Sequence, residues 1–351
     1  MQRIPKPSFI GALLVLVGLF RAPLAAAGAA PRLESVEPFS LPGLPEAVNS
    51  IAAGPEGRLF VLDRVNGTVL VYDAKGRPAG TFGKGKILEP RSLMCAGTTV
   101  ALQEGRGTFF FHDALTLLPK KTTFGLARYN PGLGAALTEK RIVYGGMGWE
   151  GEHPRDGEPF DALVLFSTDW DGQDLRVVER RLVPWEVNRS FQVMATSCFC
   201  PWGRGGLAVS SFFPGRLWLL DAEGRVVRAT PIPPPPLPKP PPEGRYPPDE
   251  EWFVLYYGAP HVEALFAVDN HLAVVVRERT KEGHRLSLWW YDDQLRLLNK
   301  EPLVLPVALR DADFLLGTAP WGNKEILLLL VRRQQNPWGL GTSLLFRLRF
   351  R

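Results

Sequence analysis

The chain has 351 residues, with 41 Lys and Arg against 36 Asp and Glu and a formal net charge of +5. Residues 1–30 carry three of those cations (Arg3, Lys6, Arg21) and no acids, so the remainder is near neutral at about +2, which gives no basis for a nucleic-acid or anionic-membrane partner. Ten Trp, 20 Phe, 35 Gly and 33 Pro, with no long amphipathic helical pattern, point to an all-β class rich in turns.

The chain begins with a short cationic stretch, followed by the apolar run Phe9–Phe20 and the small residues Ala25-Ala26-Ala27. The run is shorter than the ~20 residues a membrane-spanning helix needs. Residues 1–30 are therefore expected to be a signal peptide cleaved near Ala27 or Ala30, leaving 31–351 as one secreted or periplasmic domain. Arg21, placed directly after the apolar run, keeps a retained anchor open as the second reading. Three cysteines (Cys95, Cys198, Cys200) are too few for a disulfide scaffold, and a core of this size needs none. Cys198 and Cys200 would face one side of a strand, either as packing or as a redox or metal pair.

Arg32–Leu41 alternates apolar with polar residues but has no hairpin partner nearby. Ser50–Phe82 then reads as four short strands: Ser50–Ala53, Leu59–Leu62, Val69–Tyr72 and Pro78–Phe82. Turns separate them at Gly54-Pro-Glu-Gly57, Val65-Asn-Gly-Thr68 and Asp73-Ala-Lys-Gly76. Asn66-Gly67 accepts the positive φ of a hairpin turn, although Asn66 also begins a glycosylation pattern. A four-strand unit recurring every ~40–50 residues is a propeller blade.

The phrase Gly54-Pro-Glu-Gly57-Arg-Leu-Phe-Val-Leu-Asp63, followed by Val69-Leu-Val-Tyr-Asp73 and Gly76, resembles an NHL-type repeat of six-bladed β-propellers. The match is good over Glu46–Gly83 and partial elsewhere, so the resemblance implies architecture rather than activity.

Blade two is expected over Arg91–Ala96, Thr99–Leu102, Phe109–His112 and Lys120–Phe124. Blade three has an irregular lead-in over Gly125–Thr138, strands Arg141–Tyr144, Ala162–Thr168 and Leu175–Leu182, and a long hairpin loop from Gly145 to Pro159. Blade four is Phe191–Ser197, Gly206–Ser210, Leu217–Asp221 and Val226–Pro231. Pro231–Pro248 is too proline-rich for a central sheet; it reads as a stiff strut, or as bait for a proline-recognising partner. Glu251–Gly258 is an aromatic stretch that would cover one propeller face. Blade five is Val262–Val268, Leu272–Arg277, Leu286–Tyr291 and Leu295–Leu303. Blade six has three strands, Ala312–Thr318, Ile326–Val331 and Leu344–Arg349, and Arg32–Leu41 supplies its fourth, closing the ring. Asp residues ending third strands (Asp73, Asp113, Asp221, Asp292) would close turns with their side chains.

In a propeller the innermost strands line a central channel, so the residues just ahead of them converge. These are Glu46, Asn49, Arg91, Arg189, His261 with Glu263, and Asp311 with Asp313. Such a ring either binds an acidic or zwitterionic ligand or ties the blades together. Lactonase-like six-bladed propellers hold a central ion with Glu, Asn and Asp, and Glu46, Asn49, Asp311 and Asp313 supply those types for calcium, but Arg91 and Arg189 oppose it electrostatically. A second acidic cluster lies in the blade-three loop, at Glu150, Glu152, His153, Asp156 and Glu158, and reads as a solvated tip or a cation site. Trp202, Trp321 and Trp338 occupy Pro-Trp-Gly loops, as backbone packing or as anchors for a partner or sugar. No nucleophile elbow, Walker loop, zinc-protease helix or dinucleotide fingerprint is present. The expected work is therefore non-catalytic binding of a protein, peptide or small polar ligand, without a cofactor. The alternative is a metal-dependent hydrolase or lyase using the channel.

Overall fold

A computed structural model describes residues 29–84, 88–105, 107–123, 134–150, 160–183, 197–211, 215–232, 261–310, 313–332 and 341–351. The described residues form six four-stranded antiparallel sheets. After β1 (Leu33–Phe39), blade one is β2 (Val48–Ala53), β3 (Leu59–Asp63), β4 (Thr68–Tyr72) and β5 (Pro78–Phe82). Blade two is β6 (Pro90–Ala96), β7 (Thr99–Glu104), β8 (Thr108–Asp113) and β9 (Pro119–Thr123). Blade three is β10 (Gly134–Leu137), β11 (Arg141–Gly148), β12 (Phe160–Asp169) and β13 (Arg176–Val183). Blade four is β14 (Ser197–Trp202), β15 (Gly206–Ser211), β16 (Arg216–Leu220) and β17 (Val226–Pro231). Blade five is β18 (His261–Val268), β19 (His271–Thr280), β20 (Gly283–Tyr291) and β21 (Leu297–Leu303). Blade six is β22 (Asp313–Gly322), β23 (Glu325–Arg332) and β24 (Thr342–Phe350), with β1 paired to β24 as its outermost strand.

The near-continuous apolar character of the second strands follows from this arrangement. Along β3, Leu59 and Val61 pack toward blade six, whereas Phe60 and Leu62 pack toward blade two. The period-two alternation of a strand thus divides one apolar run between two neighbours. Every gap between adjacent blades holds its own apolar cluster in this way. The innermost strands contact one another in sequence, β2 to β6, β10, β14, β18, β22 and back to β2. A ring of this kind leaves a channel along its axis.

Two sequence expectations need correction. Phe191–Ser197 does not supply the innermost strand of blade four; that strand is Ser197–Trp202, paired with β15, and residues 191–196 lie outside the described residues. Its alternation decides the role: Cys200 packs with Cys198 toward blade five, and Phe199 packs toward blade three. In blade three, Gly134–Leu137 is an innermost strand rather than part of an irregular lead-in. Its small residues suit a tight junction, since a Cβ on Gly134 would come 2.9 Å from a Phe199 ring carbon and 3.1 Å from the Ser197 carbonyl oxygen. Most of the proline-rich segment, Glu251–Gly258, Trp338 and residues 151–159 of the blade-three loop lie outside the described residues. Among the described residues no helix is long and apolar enough to cross a membrane.

Candidate functional site

All six innermost strands contribute to a channel cavity of about 330 Å³. We call the end at which these strands begin the upper face and the opposite end the lower face. Asn49, Arg91, His261 and Glu263 line the cavity together. Glu46 has an exposed side chain off the lining and gives its backbone carbonyl to the Ser343 N–H. Asp313 is fully buried behind the wall, at 0% exposure. Arg189 and Asp311 lie outside the described residues.

Much of the polar ring stitches neighbouring blades. Asn49 Nδ2 donates to the Arg91 carbonyl at 2.7 Å and to that of Pro90 at 3.4 Å, joining blades one and two. The Ser50 hydroxyl accepts from Leu93 N–H at 3.0 Å across the same gap. Ser343 Oγ accepts from Val48 N–H at 2.8 Å and donates to the Val48 carbonyl at 3.1 Å, joining blades six and one. Cys198 Sγ sits 3.8 Å from the Val262 carbonyl between blades four and five.

The densest stitching lies between blades five and six. Glu263 Oε1 is 2.7 Å from His261 Nε2 and 3.3 Å from Arg277 Nη1, and its Oε2 accepts from Leu315 N–H at 2.9 Å. Arg277 also donates to the Asp313 carbonyl at 2.5 Å and the Arg310 carbonyl at 2.6 Å. Asp313 Oδ2 accepts from Arg310 N–H at 3.0 Å and faces Arg332 Nε at 3.5 Å. Burial alone would raise the Glu263 carboxyl pKa, but the His261 hydrogen bond and the charges of His261 and Arg277 hold it below the usual value. A buried carboxylate of this kind persists because it is both paired and hydrogen-bonded.

Arg91 differs. Its side chain is exposed, and among the described residues its guanidinium pairs only with the exposed Glu89, at 3.9 Å. An exposed pair of that length holds little free energy, so Arg91 offers the channel a cation with unspent donors.

Sequence reasoning missed Arg277, Arg332 and Ser343. The first two had a signal: the apolar run of a second strand gives way to a charge, as at Asp63, Glu104, Arg277 and Arg332, beside the start of the innermost strand. Ser343 gave no signal, because its partner Val48 is remote in sequence. The other candidates are engaged elsewhere. Glu150 pairs with Arg180. Trp202 packs into the gap between blades four and five, and Trp321 meets Phe39 edge-on at 5.5 Å. Cys95, Cys198 and Cys200 are free thiols; burial pushes the first two up to about 12 and raises the third as well. Among the described residues no group of three or more His, Cys, Asp or Glu is placed to hold a metal.

No family model matches this chain, and no curated protein matches it in sequence. Among solved structures, it is similar to a member of the DUF4221 family from Bacteroides vulgatus, with a TM-score of 0.55 at 10% identity over 92% of this chain and 99% of that one. The WD40 repeats of RRP9 align at a TM-score of 0.45 and 12% identity, over 93% of this chain and 98% of that one. With six closed four-stranded blades, the first likeness identifies the fold, a six-bladed β-propeller.

Proposed function

We propose that this chain is an exported, non-catalytic propeller that binds an anionic group, on a small polar ligand or on a peptide or protein end, at the upper mouth of its channel. One observation carries the reading: among the described charged side chains lining the channel, Arg91 is the one left exposed and loosely paired. Glu263 is matched by Arg277 and His261, so it does not cancel Arg91's attraction for an anion. The Asn49 amide and the Asp313 carboxylate, two groups a central metal would need, are turned toward backbone and Arg partners. These contacts favour binding over metal chemistry. We also read the blades as NHL-like, on the blade-one phrase and its turn punctuation.

The test is calorimetric titration of short peptides with a free C-terminal carboxylate, each beside its C-terminal amide, into the purified chain and its Arg91→Ala variant. Selective binding of the carboxylate that Arg91→Ala removes supports the reading. Binding indifferent to the carboxylate or to Arg91 refutes it. Elemental analysis of the same preparations checks the rival, since a tightly held stoichiometric metal ion would favour the hydrolase.

A further inference from the structure

The channel wall has a chemical asymmetry set by bulges. The innermost strands of blades one, two, five and six each slip register by one residue against their partners, between Val48 and Ser50, Pro90 and Ser92, Val262 and Ala264, and Leu315 and Gly317. The residues left over at these slips are Asn49, Arg91, Glu263 and Leu316; a second slip in β22, between Pro320 and Gly322 at its lower end, leaves Trp321. A bulge leaves its extra residue unpaired and re-aims the side chain. In three blades that residue is polar or charged. In blade six it is a leucine, 40% exposed and lining the cavity.

A lone exposed leucine on an outer surface needs no explanation. Leu316 is instead part of a concave wall whose other members include half-buried Ala53, Phe199 and Gly317. Wetting such a wall is unfavourable, and apolar atoms placed against it recover that free energy. The same cavity carries Arg91 with donors to spare. Its volume, about 330 Å³, falls at the small end of ligand pockets. With Glu263 and His261 paired to each other, one loosely paired cation and one apolar wall among the described lining residues select for one anionic head on one apolar body.

We propose that the channel binds an amphiphilic carboxylate, with its head on the Arg91 guanidinium and its apolar tail against Leu316 and Phe199. This proposal rests on the reading of Arg91 as an anion site and adds the nature of the rest of the ligand.

The experiment titrates acetate, a series from butanoate to decanoate, octylammonium and 1-octanol into the purified chain. Affinity is expected to rise by roughly threefold to fourfold per methylene until the cavity is filled. Octanoate should bind at least about tenfold more tightly than octylammonium. Arg91→Gln should erase that preference, and Leu316→Asn should weaken octanoate while leaving acetate unchanged. Near-UV circular dichroism checks that both variants fold; the chain-length series in the unmutated protein asks the same question without either. If acetate binds through Arg91 but affinity does not climb with chain length, the anion site stands and the amphiphile proposal falls. If no anion binds through Arg91, both fall.

Discussion

On the lower face, the turns between third and fourth strands hold themselves. Asp73, Asp113, Asp169, Asp221 and Asp292 each accept backbone N–H groups from residues two to five places further on, at 2.7 to 3.4 Å. In blades one, four and five an arginine four places on closes the same carboxylate, at 2.8 Å for Arg77 and Arg225 and 2.7 Å for Arg296. On the upper face a group of channel-side contacts reaches across blade boundaries: Asn49 to Arg91, Ser343 to Val48, Glu263 to Leu315, Arg277 to Arg310. The turn aspartates are thus local devices repeated by blade, whereas the channel-side contacts of the upper face are shared between blades; the lower face adds its own links between blades outside those carboxylates, such as Arg58 donating to the Ala114 and Leu115 carbonyls and Thr138 to that of Ala222.

The comparison breaks first at the blade five–six junction. Arg277→Leu leaves the Glu263 carboxylate buried with, among the described residues, only His261 for charge compensation and frees the Asp313 and Arg310 carbonyls. Removing one partner of a buried pair costs about 3–5 kcal/mol, and denaturant unfolding should show a loss of that order. A loss below about 1 kcal/mol, typical of surface pairs, would mean that the upper face is not held by this network. Next is Gly206→Ala on the lower side of blade four. A Cβ there would lie 2.1 Å from the Leu220 carbonyl oxygen, which is backbone and cannot swing aside. A loss of about 1–3 kcal/mol is expected from the forced shift; an unchanged melting temperature would show that the turn can yield. Asn49→Ala removes two donations across the blade one–two gap and should cost about 1 kcal/mol.

The same contrast explains what could be read from sequence. The blade order, the closure by Leu33–Phe39 and the turn aspartates are visible because each depends on neighbours in sequence or on period-two patterning. Blade five was legible strand by strand. The start of blade four was misplaced because Phe191–Ser197 carries a strand-like pattern too, and only packing against blades three and five selects Ser197–Trp202. Gly134–Leu137 was missed because its role depends on smallness at a junction, and small residues alone do not mark a strand. Of the channel ring, Asn49, Arg91 and His261 were found by their place ahead of the innermost strands. That Asn49 and His261 are held closely by partners while Arg91 is only loosely paired with Glu89 depends on register slips and distant side chains, which no single stretch of sequence records.

The smallest expected effect tests the lower face alone. The Arg77 and Lys75 backbone N–H groups and the Arg77 side chain lower the Asp73 carboxyl to about 2, against roughly 3.9 for an unfolded aspartate. A carboxyl depressed in the folded state contributes stability that is present above the unfolded value and lost as pH falls through the folded one. Asp73→Asn should therefore change stability little in shape above about pH 5 and flatten the acid limb between roughly pH 4 and 2. Asp113, lowered by the Thr116 and Leu115 N–H groups and Lys120, should behave in the same direction. Because the Asp73 and Asp113 carboxylates share no hydrogen-bond partner, the flattening from Asp73→Asn and Asp113→Asn should add in the double variant. A double variant whose acid limb differs from the sum would show that the turn carboxylates are coupled from blade to blade, and the division between local turn aspartates and shared channel-side contacts would then fail.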